Sequence, residues 1–446
     1  RPRGGVFPVE WYWVMALLIG STLGLMALGM PVAFAFFGAN IVGAMIFFGG
    51  ETGIIQVTRN AVDSVVNFTL APLLMFILMG EVLFHSGLAV KCIDAIERLF
   101  TKVPGRLSLA AVGGGIVFSA LSGSSMANTA MLGSTLIPEM TRRGYHPSIS
   151  MGPIMAVGGV AMLIPPSNMA ILLGTVSQIP ISYLLLGGIL PGVLIGLTHA
   201  GIVLVRCLIN PNLAPAYEIP PMRFWERWQP FFHYVLPLMF LFVIVVGSIL
   251  GGVATPTESA ALGALGAVGF AIAYRRFTFA MLKKSLYGSA LVGGMMLLII
   301  AGSSTFSQVL AFSGATRELV ALVRDIDPDP FHVVIGMLAI LLLLGMIMDS
   351  LSMILLTIPF YMPLAQALGI DTIWLGILVL FAIEISGMTP PFGLLLFTMK
   401  GVSPPGTTTM MIYRAVTPFV IAELCLLAIL IIYPPLSTYL PSLIQN

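Results

Sequence analysis

Residues 119–130 read Ser-Ala-Leu-Ser-Gly-Ser-Ser-Met-Ala-Asn-Thr-Ala, a run of hydroxyls and small side chains between long apolar stretches. Gly123 lets the chain turn sharply there. Backbone that leaves a helix at membrane depth is tolerated only where protein packs it or water reaches it. Such a tip offers hydroxyl and main-chain oxygens to a ligand, although the same small residues also serve close helix packing. A second run, Met-Ile-Met-Asp-Ser-Leu-Ser-Met-Ile at 346–354, sets Asp349 among apolar neighbours. A carboxylate there is costly without a partner, and a cation or proton is the natural companion; the alternative is an Asp that caps a helix near an interface.

Two double prolines, Pro165-Pro166 and Pro390-Pro391, interrupt long apolar segments. Proline lacks an amide donor and cannot continue a regular helix, so carbonyls upstream of each pair are freed to act as hard oxygen ligands. Ser167 and Asn168 follow the first pair; Ser386, Gly387, Met388 and Thr389 precede the second. Unwound carbonyls and half-helix C-terminal ends suit sodium, while half-helix N-termini suit a carboxylate. A simple proline kink is the plainer reading of each. No Lys, Arg or His occurs within 119–130, 163–170, 346–354 or 386–394. An anion bound there would rely on helix dipoles, hydroxyls, Asn128 or Asn168, and bound cations.

The other acids in apolar segments, Glu81, Glu258, Glu384 and Glu423, either relay protons or bond to neighbouring polar groups; Glu384 lies five residues before Thr389. His85, His146, His199, His233 and His332 show no HExxH or paired haem-ligand spacing. Cys92, Cys207 and Cys425 are far apart, without a CxxC pair. The net charge of +2 is small and dispersed, which argues against a nucleic-acid partner.

These residues need elements to hold them, and composition says which kind. The chain is 58% hydrophobic and 9% charged, against roughly 25% charged in a soluble domain. It therefore reads as an all-α, multi-pass integral membrane protein in contact with lipid. At an offset of 225 residues Pro31 aligns with Pro256, Ser125 with Ser350, Pro138 with Pro363 and Gly144 with Gly369. Pro165, Pro166 and Pro180 likewise meet Pro390, Pro391 and Pro405. Five of the nine prolines between residues 30 and 190 thus land on proline, where 31 prolines in 446 residues give roughly 0.6 by chance.

The first repeat is expected over 11–210, with spans at 11–29, 31–48 and 68–85, a re-entrant hairpin at 107–140, a broken helix at 148–176 and a span at 181–206. The second is expected over 231–436, with spans at 231–250, 256–274, 288–312 and 412–435, a hairpin at 332–366 and a broken helix at 373–400. Residues 1–10 form an N-terminal segment or linker, 211–230 a cytoplasmic linker and 437–446 a tail. Five crossings per repeat make the second repeat inverted relative to the first. This topology collects fifteen of the twenty Lys and Arg on one face, which the positive-inside rule makes cytoplasmic.

The stretches SGSSMANTAMLGSTLIPEMTRRGY (122–145), MLIPPSNMAILLG (162–174), GGVATPTESAALGALGA (251–267) and GMTPPFGLLLF (387–397) make the chain similar to a known family. It resembles the large membrane subunit, the DctM-like permease, of tripartite ATP-independent periplasmic (TRAP) transporters. The resemblance spans nearly the whole chain and implies an elevator-type ion-transporter fold in the bacterial inner membrane. It implies import of a carboxylate-bearing solute driven by Na+, with two or more ions. The implied partners are a periplasmic substrate-binding protein (DctP-like) and a small four-helix membrane subunit (DctQ-like), either separate or fused ahead of Trp11.

Carried over by position, one sodium site lies between Ser122, Gly123, Ser124 and Ser125 and the break at Pro165, Pro166 and Ser167. The other joins Asp349, Ser350 and Ser352 to Gly387, Met388 and Thr389. The solute between the tips would meet Ser124, Asn128, Ser167, Asn168, Asp349 and Thr389. Asn128 and the bulky Phe392 depart from the family pattern. Two alternatives to this importer are a symporter that collects its solute unaided and a membrane-embedded enzyme or redox subunit, for which no catalytic constellation is visible.

Overall fold

The computed structural model describes residues 10–48, 50–100, 103–215 and 223–443, the side chains of 120–122 apart. The first half runs α1 (Trp11–Ala27), α2 (Val32–Phe47), α3 (Glu51–Val65), α4 (Ala71–His85) and α5 (Leu88–Glu97). A hairpin follows, α6 (Arg106–Ser122) and α7 (Ser125–Arg142), then the interrupted pair α8 (Pro147–Gly159) and α9 (Asn168–Ser177), and α10 (Ile181–Ile209). The second half runs α11 (Phe224–Pro230), α12 (Leu236–Leu250), α13 (Pro256–Ala273), α14 (Phe279–Ser313) and α15 (Ala315–Ile326). Its hairpin is α16 (Pro330–Leu344) and α17 (Ser350–Ala367), its interrupted pair α18 (Thr372–Gly387) and α19 (Leu394–Val402), before α20 (Thr409–Ile432) and α21 (Pro435–Ser442).

The offset seen in the prolines is the register of the fold. α7 and α17 start and stop 225 residues apart, and α8 and α18 start 225 apart. Packing follows an internal two-fold, because equivalent helices exchange partners. α4 packs on α13 while α14 packs on α2, and α7 packs on α19 while α17 packs on α9.

Seven helical segments among the described residues are long and apolar enough to cross a bilayer. In the second hairpin the limb α16 has 15 residues and rises about 22 Å, whereas its partner α17 is one of the seven. The two interrupted pairs form the centre. Every residue of α8 from Ser148 to Gly159 is buried, as is every residue of α18 from Leu375 to Ser386; a helix apolar on all sides belongs inside. Glycine permits the closest approaches: a Cβ on Gly152 of α8 would stand 2.3 Å from Ala415 O of α20.

The structure differs from the expected boundaries in places. α3, α5 and α15 were not foreseen, and all three are short amphipathic helices between spans. α3 occupies the position that, in the second repeat, opens α14; the first repeat breaks this element near Asn67, whereas α14 continues for 35 residues. The expected 211–230 linker contains α11, with 216–222 outside the described residues, and the expected tail from 437 is largely α21. Of the N-terminal segment only Glu10 is described.

Candidate functional site

Both hairpins turn at a helix N-terminus, and the sequence supplies a cap at each. Ser124 precedes α7, and its hydroxyl accepts from Ala127 N at 3.3 Å. Its equivalent, Asp349, precedes α17; its Oδ2 accepts from Leu351 N at 3.1 Å and Ser352 N at 3.2 Å. The Ser352 hydroxyl donates to Asp349 Oδ1. The caps satisfy amides that the first helical turn leaves without partners, and in the second tip they hold a carboxylate against the positive end of the helix.

The breaks are also paired, with Pro165–Pro166 and Pro390–Pro391 both cis. In the first, Ser167 caps α9 by accepting from Ala170 N at 3.2 Å and donates to Met162 O at 2.6 Å. In the second, the Thr389 hydroxyl donates to Ile385 O at 2.7 Å, and Gly393, which offers no side chain, precedes α19. Each tip touches the break of its own repeat. Asn168 packs against Gly123, where a Cβ would lie 2.6 Å from Asn168 Nδ2, and Gly345 packs against Ser386.

A cavity of about 300 Å³ lies where these four elements meet. Gly123, Ser124 and Ser125 enter from the first tip, Asp349 and Ser350 from the second, Asn168 from the first break and Gly387 from the second. The opposite wall comes from α4 and α14, through Gly80, Glu81, Phe84, Val292 and Met296. Its ionisable lining residues are Glu81 and Asp349, and no basic side chain lines it. Glu81 Oε2 is 3.2 Å from His85 Nε2. Positive potential must come from the N-terminal ends of α7, α9 and α17 or from a bound cation.

The remaining expected site residues stand behind this surface. Pro165, Pro166 and Ser167 are buried, Ser352 bonds Asp349, and Met388 is fully enclosed. Asn128 does not reach the cavity: its Nδ2 turns into the first hairpin, donating to Gly115 O at 3.2 Å and to Ser119 Oγ. A buried amide N–H must find its acceptors within the protein, and this corrects its expected place beside the solute. The Ser122 side chain lies outside the described residues. Glu258 closes a capping box with Thr255 at the start of α13. The α14 wall was missed, because Val292 and Met296 are apolar residues in an apolar helix and carry no mark of the face they present.

A multi-pass helical membrane protein with paired hairpin tips and paired breaks is a transporter fold. It matches the YdaH transporter of Alcanivorax borkumensis with a TM-score of 0.62 at 14% identity, over 94% of this chain and 96% of that one. It matches MtrF of Neisseria gonorrhoeae with a TM-score of 0.60, also at 14% identity, over 94% and 97%.

Residues 19–436 match the tripartite ATP-independent periplasmic transporter, DctM component, and the chain belongs to that family. The 2,3-diketo-L-gulonate TRAP transporter large permease protein YiaN of Escherichia coli is 30% identical over 95% of this chain and 98% of its own. The C4-dicarboxylate TRAP transporter large permease protein DctM of Pseudomonas aeruginosa is 31% identical over 84% and 87%. The protein is thus a multi-pass permease component of a tripartite transporter in the bacterial inner membrane, not an enzyme or redox subunit.

Proposed function

We propose that the chain imports a carboxylate-bearing organic solute by sodium symport, with the solute bound in the cavity between the two tips. The observation that carries this reading is the convergence of both tips and both breaks on one cavity that lacks a basic side chain. A carboxylate there is stabilised by helix N-termini and needs cations beside it, which ties solute binding to sodium. The names of the relatives, which include a diketo-gulonate and a C4-dicarboxylate permease, support an organic acid.

In this reading one sodium ion binds among Gly123, Ser124, Ser125 and the break at Pro165, Pro166 and Ser167. The other binds among Asp349, Ser350, Ser352 and the oxygens of Gly387, Met388 and Thr389. Asp349 contributes the one negative charge in these two sets. The hairpins and interrupted helices move together as an elevator against the α4 and α14 wall, carrying the solute across. A DctP-like periplasmic binding protein delivers the solute, and a DctQ-like four-helix subunit braces the outer helices.

Reconstitution with the small subunit and binding protein tests this, using as probe the solute that co-purifies with the binding protein. Uptake should require an inward sodium gradient and the binding protein. Uptake without the binding protein would make the chain a stand-alone symporter, and uptake equally driven by potassium would remove sodium coupling.

A further inference from the structure

Glu384 of α18 is fully buried, and neither carboxylate oxygen has a hydrogen-bond partner. Its side chain lies on Gly159 of α8, where a Cβ would stand 2.6 Å from Glu384 Cγ. Residues 159 and 384 are 225 apart and are therefore equivalents in the two repeats. Equivalent positions that touch each other straddle the internal two-fold axis, so only one of them can carry a side chain. Gly159 is the space that Glu384 fills.

Beside it lies a second buried pair. His199 Nε2 of α10 and Glu423 Oε1 of α20 are 2.7 Å apart, and both side chains are fully enclosed. Glu423 Oε2 and His199 Nδ1 have no partner, and the helices that carry this pair, α10 and α20, both pack on α18. α10 and α20 are themselves equivalent helices in contact, so this pair also bridges the two repeats.

Among the described residues, His199 is the basic side chain that pairs with either acid. Among the helices packed on α18, the segment 147–177 contributes no titratable side chain. On α10, Arg206 turns to Ser148 and Cys207 packs on Gly105, leaving His199. On α20, Tyr413 bonds Pro391 O, while Arg414 and Cys425 are exposed, leaving Glu423. Tyr361 of α17 bonds Met337 O, Lys400 of α19 bonds Thr407 O, and His332 of α16 pairs with Asp329. Tyr183 of α10 sits two residues into that helix, far along it from His199, and Tyr439 of α21 is exposed.

We propose that Glu384, Glu423 and His199 form a proton-binding site on the two-fold axis, separate from the solute cavity. With both carboxyls ionised and His199 neutral the trio carries two negative charges, which a buried site cannot hold uncompensated. Two protons neutralise it, one on Glu384 and one within the His199–Glu423 hydrogen bond. A proton fits better than a metal ion, since Glu384 offers two oxygens and Glu423 one, fewer than a hard cation collects. The site adjoins the first tip through consecutive glycines, because Gly158 packs on Ser125 O and Thr129 while Gly159 packs on Glu384.

Infrared difference spectroscopy on the purified full chain tests this without a solute. The wild type should show a protonated-carboxyl carbonyl band at neutral pH that persists when sodium replaces potassium. Glu384→Gln should abolish it, and Glu423→Gln should shift it. A proton held in the folded state and released on unfolding raises the unfolding constant tenfold per pH unit, so stability should fall with rising pH one power of ten per unit less steeply in Glu384→Gln. An unchanged band in Glu384→Gln overturns the proposal. A band that disappears on sodium addition also overturns it and makes this a metal site. Should Glu384→Gln fail to fold, an unmoved band in Glu423→Gln overturns it equally.

Discussion

The two breaks share one backbone design, 225 residues apart, but the first is sealed and the second is open. Pro165, Pro166, Ser167 and Asn168 are all buried, and Ser167 joins the two half-helices through Met162 O and Ala170 N. At the second break Pro391 is exposed, Phe392 is 59% exposed, and Gly393 supplies no side-chain cap. The tips divide in the opposite sense, with a neutral serine at 124 and a carboxylate at 349. The same geometry occurs twice, with a buried, capped break in one half and a charged tip in the other. The charged half is the one whose break is exposed.

The comparison breaks first at Asp349. Asp349→Ala removes both the charge and the cap and should lower sodium-driven uptake tenfold or more, while Asp349→Asn keeps a good cap without the charge. Uptake by the Asn variant close to wild type would show that capping, not charge, is what the second tip supplies.

Gly123→Ala should come next. Gly123 has φ +58°, and its Cβ would lie 2.6 Å from Asn168 Nδ2, so tip and break must separate; a thermal melt should show a loss of about 1–3 kcal/mol. Ser167→Ala should cost about 1–2 kcal/mol by the same measurement, because the sealed break loses its cap and a buried acceptor loses its donor. Ser124→Ala should reduce sodium-driven uptake several-fold and leave assembly intact, as judged by size-exclusion profile. Phe392→Ala should change the melt by less than about 0.5 kcal/mol, since an exposed side chain leaves no cavity.

Much of this fold is legible in the amino-acid sequence. Prolines and glycines mark helix ends by their backbone constraints, so the register of Ser125 with Ser350 and of the double prolines could be read directly. α3, α5 and α15 were not legible, because a short amphipathic helix between spans resembles a polar loop when only apolar length is counted. Within the site, Ser124 and Asp349 stood out because polar groups in apolar runs need a reason. Asn128 stood out equally, yet its amide turns to carbonyls of α6 and α8. Residue type shows that a polar group must be satisfied; only packing shows whether protein or ligand satisfies it. The same gap hid the Gly159–Glu384 contact, whose two members look unrelated until the repeat register sets them opposite each other.

The central claim is that the paired tips and breaks bind sodium, with Asp349 as the charged member. It is tested most directly by titrating sodium, against a potassium control, into the purified chain and into Asp349→Asn, and following the melting temperature. The account predicts saturable, sodium-specific stabilisation whose midpoint moves at least tenfold higher in Asp349→Asn. Equal midpoints in the two proteins, or equal stabilisation by potassium, would contradict it.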